Sequence, residues 1–118
     1  MQVIAKAIAR FLHYSPFKLR PLADVVRGRS VTYALHWLSV CSLQRATPLK
    51  KLIQSAVANA TNADQQISAS DLYIADIRVD HGPTRKSFKP GAMGRAGMIR
   101  KRLSHASVVL KVKKQKEV

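Results

Sequence analysis

The chain has 118 residues, enough for one domain with a modest core and too few for two. Its 21 Lys and Arg stand against 6 Asp and Glu, giving a net charge of +15, and such a surplus repels itself unless a polyanion neutralises it. That balance points to nucleic acid or an anionic membrane surface. The sequence holds no run of eighteen apolar residues that could span a bilayer, and the lone Cys41 rules out an internal disulfide and suits a reducing compartment.

Residues 1–14, MQVIAKAIARFLHY, lack the apolar run and small-residue cleavage site of a secretory signal. They place Val3, Ile4, Ala7, Ile8, Phe11 and Leu12 at helical spacing with Lys6 and Arg10 opposite. Alone, the segment reads as an amphipathic helix or an organelle presequence. SPFKLRPLADVVRG (15–28) follows as a helix with Ser15 as a capping residue, Pro16 in the first turn and Gly28 at the C-terminal end. Leu19, Leu22, Val25 and Val26 form its apolar stripe. Pro21 either kinks this helix or marks its true start.

Residues 30–41 form a second helix, capped by Ser30, with Val31, Ala34, Leu35 and Leu38 on one face. A third runs over 48–61, with Leu49, Leu52, Ile53, Ala56, Val57 and Ala60 aligned; its start is either Thr47–Pro48 or an earlier turn capped by Ser42 and bent at Pro48. After the polar loop 61–70 the period changes. DLYIADIRVD (71–80) alternates, with Tyr73, Ala75, Ile77 and Val79 on one face and Asp76, Arg78 and Asp80 interleaved, which predicts a strand. ASVVLKV (106–112) predicts another, and residues 113–118 a basic tail.

Between the two predicted strands lie about 25 residues too basic and glycine-rich for a core. From His81 to Lys116 there are eleven Lys or Arg and no acid. If the insertion continues both strands outward, each arm has roughly ten residues and reaches on the order of 30 Å. Such a ribbon is not stable alone in water and needs something to lie against.

Catalytic and metal chemistry find no support in the spacing. GAMGRAG (91–97) has glycines at G-x-x-G-x-x-G rather than the dinucleotide pattern, with no Lys-Ser/Thr after it and no helix pattern opening. His13, His36, His81 and His105 show no metal-ligand spacing with one another or with Cys41. Ser104–His105 are sequence neighbours, which makes no nucleophile–base pair, and the aspartates are scattered. No enzyme, cofactor or metal is expected. Seven cations in the insertion, Arg85, Lys86, Lys89, Arg95, Arg100, Lys101 and Arg102, fit phosphate recognition. Its one aromatic, Phe88, does not make a platform for single strands, so the pattern favours the backbone and shape of structured RNA.

SPFKLRPLADVVRG, QSAVANATN, VDHGPTRKSFKP, GRAG and IRKRLSH occur in this order, and over roughly residues 4–112 the chain resembles the family of protein twenty-two of the large ribosomal subunit. The resemblance implies an α+β fold: three helices packed on a small three-stranded antiparallel sheet, with a long protruding β-hairpin. It implies a single domain, with a core of 1–80 and 103–112, a basic hairpin over 81–102 and a tail over 113–118. It also makes IAKAIAR the first strand, against the helical spacing noted above. The implied function is architectural: binding large-subunit ribosomal RNA, aiding subunit assembly and lining the nascent-peptide exit tunnel, in a cytoplasmic or organellar ribosome. Partners would be that RNA, neighbouring ribosomal proteins and the nascent polypeptide, with no membrane and no homo-oligomer.

Carried over by position, Ser15, Pro16, Lys18, Arg20, Arg27 and Gly28 match the family's first helix, and Asn59 in the third is expected to face RNA. With the insertion's cations, Ser104 and His105 complete the expected RNA-binding set. Phe88, Lys89, Pro90, Gly91, Ala92, Met93, Gly94 and Arg95 would form the tunnel-lining tip. Gly91, Gly97, Met98 and Ser87 depart from residues common in the family, three of them where arginine or another base is usual, which implies a looser tip with fewer phosphate contacts. Two other classes remain as alternatives. A nucleoid protein bending DNA with a basic β-arm would give a duplex-DNA footprint with no preference for ribosomal RNA. A membrane-active cationic domain would bind liposomes, though the patterned core argues against it.

Overall fold

A computed structural model of the chain describes residues 5–63, 67–94 and 96–112. Strand β1 (Ala5–Leu12) leads into three helices, α1 (Pro16–Val26), α2 (Val31–Val40) and α3 (Ala46–Ala63), and then two long strands, β2 (Leu72–Pro90) and β3 (Ala96–Val112). The sheet order is β1-β3-β2, with β3 antiparallel to both neighbours. Helices α1 and α3 cover one face of it, α1 against β2 and α3 against β1 and β3, while α2 packs on α3. The buried cluster is made by Leu19, Leu22 and Val26 of α1, Leu49, Leu52 and Ile53 of α3, and Ile74, Ile77, Val108 and Leu110 of the sheet, among others.

Helical spacing misleads at the N-terminus, where residues 5–12 are a strand. Ala5 and Ala7 point into the core while Lys6 and Ile8 are exposed, so the inward face is built of alanines whose weak hydrophobicity hides the two-residue period. Val3 and Ile4 lie outside the described residues. In α1 the Ser15 side chain does not cap; its backbone carbonyl accepts from Lys18 and Leu19. The helix starts at Pro16 and runs through Pro21, which stands on its exposed side. Helix α2 follows the sequence closely, with Ser30 Oγ accepting from the Tyr33 N–H at 3.2 Å. Helix α3 begins at Ala46, between the two starts that the sequence left open. Pro48 is thereby its third residue, where the backbone N–H has no helical partner to lose.

The predicted face of β2 also needs correction. Leu72 and Ile74 are buried, then Ile77 and Val79, while Tyr73 lies on the other side. A register shift between Ile74 and Asp76 explains it: Ala75 is an extra residue with no partner on β3, a β-bulge that resets the alternation. A second shift lies between His81 and Thr84, where Gly82 and Pro83 oppose Leu103 alone. Beyond it the two strands leave the core and pair from Thr84↔Arg102 to Pro90↔Ala96. Met93 and Gly94, at φ of 58° and 76°, turn the chain at the tip. The extents of 73 × 25 × 19 Å reflect this projection.

Candidate nucleic-acid interface

The hairpin places like charges opposite one another. Arg85 pairs in register with Lys101, and Lys86 with Arg100, on consecutive rungs. Facing cations destabilise a ladder by roughly 0.2–1 kcal/mol each, and no aspartate or glutamate occurs in the arms. Arg85, Lys86, Lys101 and Arg102 are exposed, and none makes a hydrogen bond or ion pair among the described residues. Lys89 and Arg100 follow the same strands, and Arg95 lies outside the described residues. In the tip, Phe88, Lys89 and Pro90 end β2, Gly91, Ala92, Met93 and Gly94 make the turn, and Met93 is wholly exposed.

At the root of the hairpin, each face of the sheet carries an exposed phenylalanine set edge-on to a histidine. Phe17, from α1, meets His81 at 5.6 Å between ring centroids, and Phe11, from the β1 irregularity, meets His105 at 5.0 Å. Arg20 and Arg102 lie over the Phe17 ring at 5.4 and 6.0 Å. Phe11, at φ of 58°, gives its N–H to His105 Nδ1 at 3.0 Å, which leaves Nε2 as the open nitrogen. Ser104 is turned inward and fully buried, with no hydrogen-bond partner for Oγ. That burial sets Ser104 apart from the exposed cations of the arms.

Three other residues expected to reach RNA are engaged within the protein. Arg27 donates from Nη2 to the Ile77 carbonyl at 2.7 Å and from Nη1 to Asp24 at 2.6 Å, with Asp76 at 3.8 Å from Nε. Arg20 donates from Nε to the Val79 carbonyl at 3.2 Å. Together with Gly28 and Arg29, which exchange backbone hydrogen bonds with Ile74 at 2.9 Å, these side chains occupy the outer edge of β2. An uncovered edge would invite another strand. On the opposite edge, Asn59 donates from Nδ2 to the Lys6 carbonyl at 3.1 Å. Lys18 is exposed and makes no such bond. The cations therefore divide into those that hold the fold, Arg20 and Arg27, and those left for a ligand, Lys18 and the arm residues.

Sequence reasoning missed Phe17 and His81. The signal available for the first was its i, i+3 spacing from Arg20 on one helix. Among the described residues no group of three His, Cys, Asp or Glu could hold a metal ion.

A family model described as "Ribosomal protein L22p/L17e" matches residues 7–111. Similar chains include the large ribosomal subunit protein uL22 of Desulfitobacterium hafniense (strain Y51), 46% identical over 111 residues that cover 94% of this chain and 96% of that one. The protein of the same name from Myxococcus xanthus (strain DK1622) is 46% identical over 86% of this chain and 90% of its own. That of Clostridioides difficile (strain 630) is 46% identical over 93% and 98%.

Proposed function

The chain belongs to the ribosomal protein L22p/L17e family, and from that membership we propose that it is a structural constituent of the large ribosomal subunit in the cytoplasmic ribosome, where it binds ribosomal RNA and adjoins other subunit proteins. The family is structural rather than enzymatic, and it does not favour the DNA-bending alternative. The observation that carries the RNA-binding role is the pair of like-charged rungs, Arg85↔Lys101 and Lys86↔Arg100, on arms whose own sequence holds no acid. A polyanion on both sides of the ribbon removes the repulsion and supplies the packing surface the arms lack.

The finer parts of the proposal concern placement. The sheet and helices form the body that sits on the subunit, and residues 81–102 reach inward, bringing the turn at Gly91–Gly94 to the wall of the nascent-peptide exit tunnel. There the tip would meet the nascent polypeptide, and the protein would act as a monomer. Lys18, Arg85, Lys86, Lys89, Arg95, Arg100 and Lys101 are the proposed phosphate contacts, and Arg102 is a further proposed RNA contact. Arg20, Arg27 and Asn59 are proposed to act indirectly, by keeping the sheet edges in shape.

The test is sedimentation of a tagged chain from its native cells. The protein is expected with the large subunit at moderate salt and free only at high salt. Recovery in the ribosome-free fraction at moderate salt would overturn the proposal. A map of the native subunit tests the tunnel placement separately, since density for the hairpin away from the tunnel would leave the RNA-binding role intact.

A further inference from the structure

Phe17 is 58% exposed at the second position of α1 and takes no part in the buried cluster. His81 meets it edge-on, and two guanidinium groups lie over its ring. Those two groups differ in freedom. Arg20 is fixed by its hydrogen bond to the Val79 carbonyl. Arg102 makes no hydrogen bond or ion pair among the described residues, and its 6.0 Å to the ring centroid is at the outer limit of a cation–π contact. The root of the hairpin thus holds an aromatic ring with two guanidinium groups over it, one tethered by a backbone hydrogen bond and one without any among the described residues.

We propose that Phe17 is a stacking platform for one unpaired nucleobase of the RNA, held between the ring and Arg102, with the contacts to Arg20 and His81 steadying the ring. This rests on the RNA-binding role proposed above. A base sandwiched between ring and guanidinium needs roughly 7 Å, twice the stacking repeat of about 3.4 Å. From 6.0 Å, Arg102 has to move outward by about 1 Å, and nothing among the described residues restrains it. An aromatic face accepts any base, so the site selects an unstacked nucleotide beside structured RNA rather than a sequence. The exposed Lys18, next to Phe17 on α1, would serve a flanking phosphate.

The test is equilibrium binding of the full chain to a large-subunit RNA transcript across a salt series, with Phe17→Leu, Phe17→Trp and Arg102→Ala. Leucine keeps apolar bulk and removes the ring face. Phe17→Leu is expected to bind about tenfold to a hundredfold more weakly with an unchanged salt slope. Phe17→Trp should bind as well as the parent, and Arg102→Ala should bind more weakly with the slope reduced by about one. Leucine binding within twofold of the parent would overturn the proposal. So would a loss that shows as a reduced slope, which would make the ring only a support for Arg102. Ultraviolet irradiation of the unsubstituted complex gives a readout that no variant's folding can disturb: a nucleotide adduct on Phe17 is expected, and adducts on the hairpin alone would overturn the platform. Failure of the unsubstituted chain to bind the transcript would instead overturn the RNA-binding role.

Discussion

The Arg27 guanidinium donates to the Ile77 carbonyl at 2.7 Å, joining the last turn of the α1 segment to the outer edge of β2. The same side chain donates to Asp24 and lies 3.8 Å from Asp76, so two of its five N–H groups are hydrogen-bonded within the fold. Arg27→Ala should lower unfolding free energy by about 1–2 kcal/mol, chiefly through the carbonyl left without its charged donor. Arg27→Lys should recover little, because one ammonium cannot serve partners in a planar fork. Denaturant midpoints of the two variants and the parent check this.

Gly82 faces Leu103 so closely that an added Cβ would lie 2.9 Å from the Leu103 carbonyl oxygen and 3.2 Å from its Cβ. Backbone cannot yield as a flexible side chain can. Gly82→Ala should therefore destabilise the root by roughly 1–3 kcal/mol. In amide exchange, the loss of protection should centre on 79–84 and 102–106 and leave α2 unaffected.

Ser104 buries a hydroxyl that meets no protein partner. Removing it deletes a desolvated polar group and little volume. Ser104→Ala is expected to be neutral or stabilising by up to about 1 kcal/mol, and its RNA affinity should match the parent's. A loss of affinity at unchanged stability would show that the hydroxyl does reach RNA.

Lys101→Ala should act with opposite signs in the two states of the protein. Alone, it relieves the repulsion with Arg85 and should raise the thermal midpoint slightly. On RNA it should weaken binding and lower the salt slope by about one. Thermal unfolding of the free protein and salt-dependent binding, measured on the same sample, separate the two effects.

Helices α2 and α3 were legible because their apolar residues recur at helical spacing and face the core as expected. The basic hairpin was legible from charge, glycine and the strands on either side. Other features depend on partners far away in sequence. Nothing local reveals that Ala75 lacks a partner on β3, so the alternation that predicts the inward face of β2 is one phase out up to that bulge. Alternation in β1 was masked because Ala5 and Ala7 are the inward residues. Arg20, Arg27 and Asn59 read as RNA ligands because they are polar and match the family, and only the fold reveals that they also bond the carbonyls of Val79, Ile77 and Lys6. Phe17 lies on α1, outside the basic hairpin, and meets His81 only in three dimensions.

The irregular step at Gly82–Pro83 gives the molecule the mechanics of a lever. About 30 Å of arm lies beyond it, and bulges are where strand twist is adjusted. A change of about 10° in heading at that step displaces the tip by roughly 5 Å, more than the width of a side-chain contact. Where Met93 ends up is thus decided some ten residues upstream, by the fit of two residues against Leu103. A substitution beside the body can re-aim the far end without touching it.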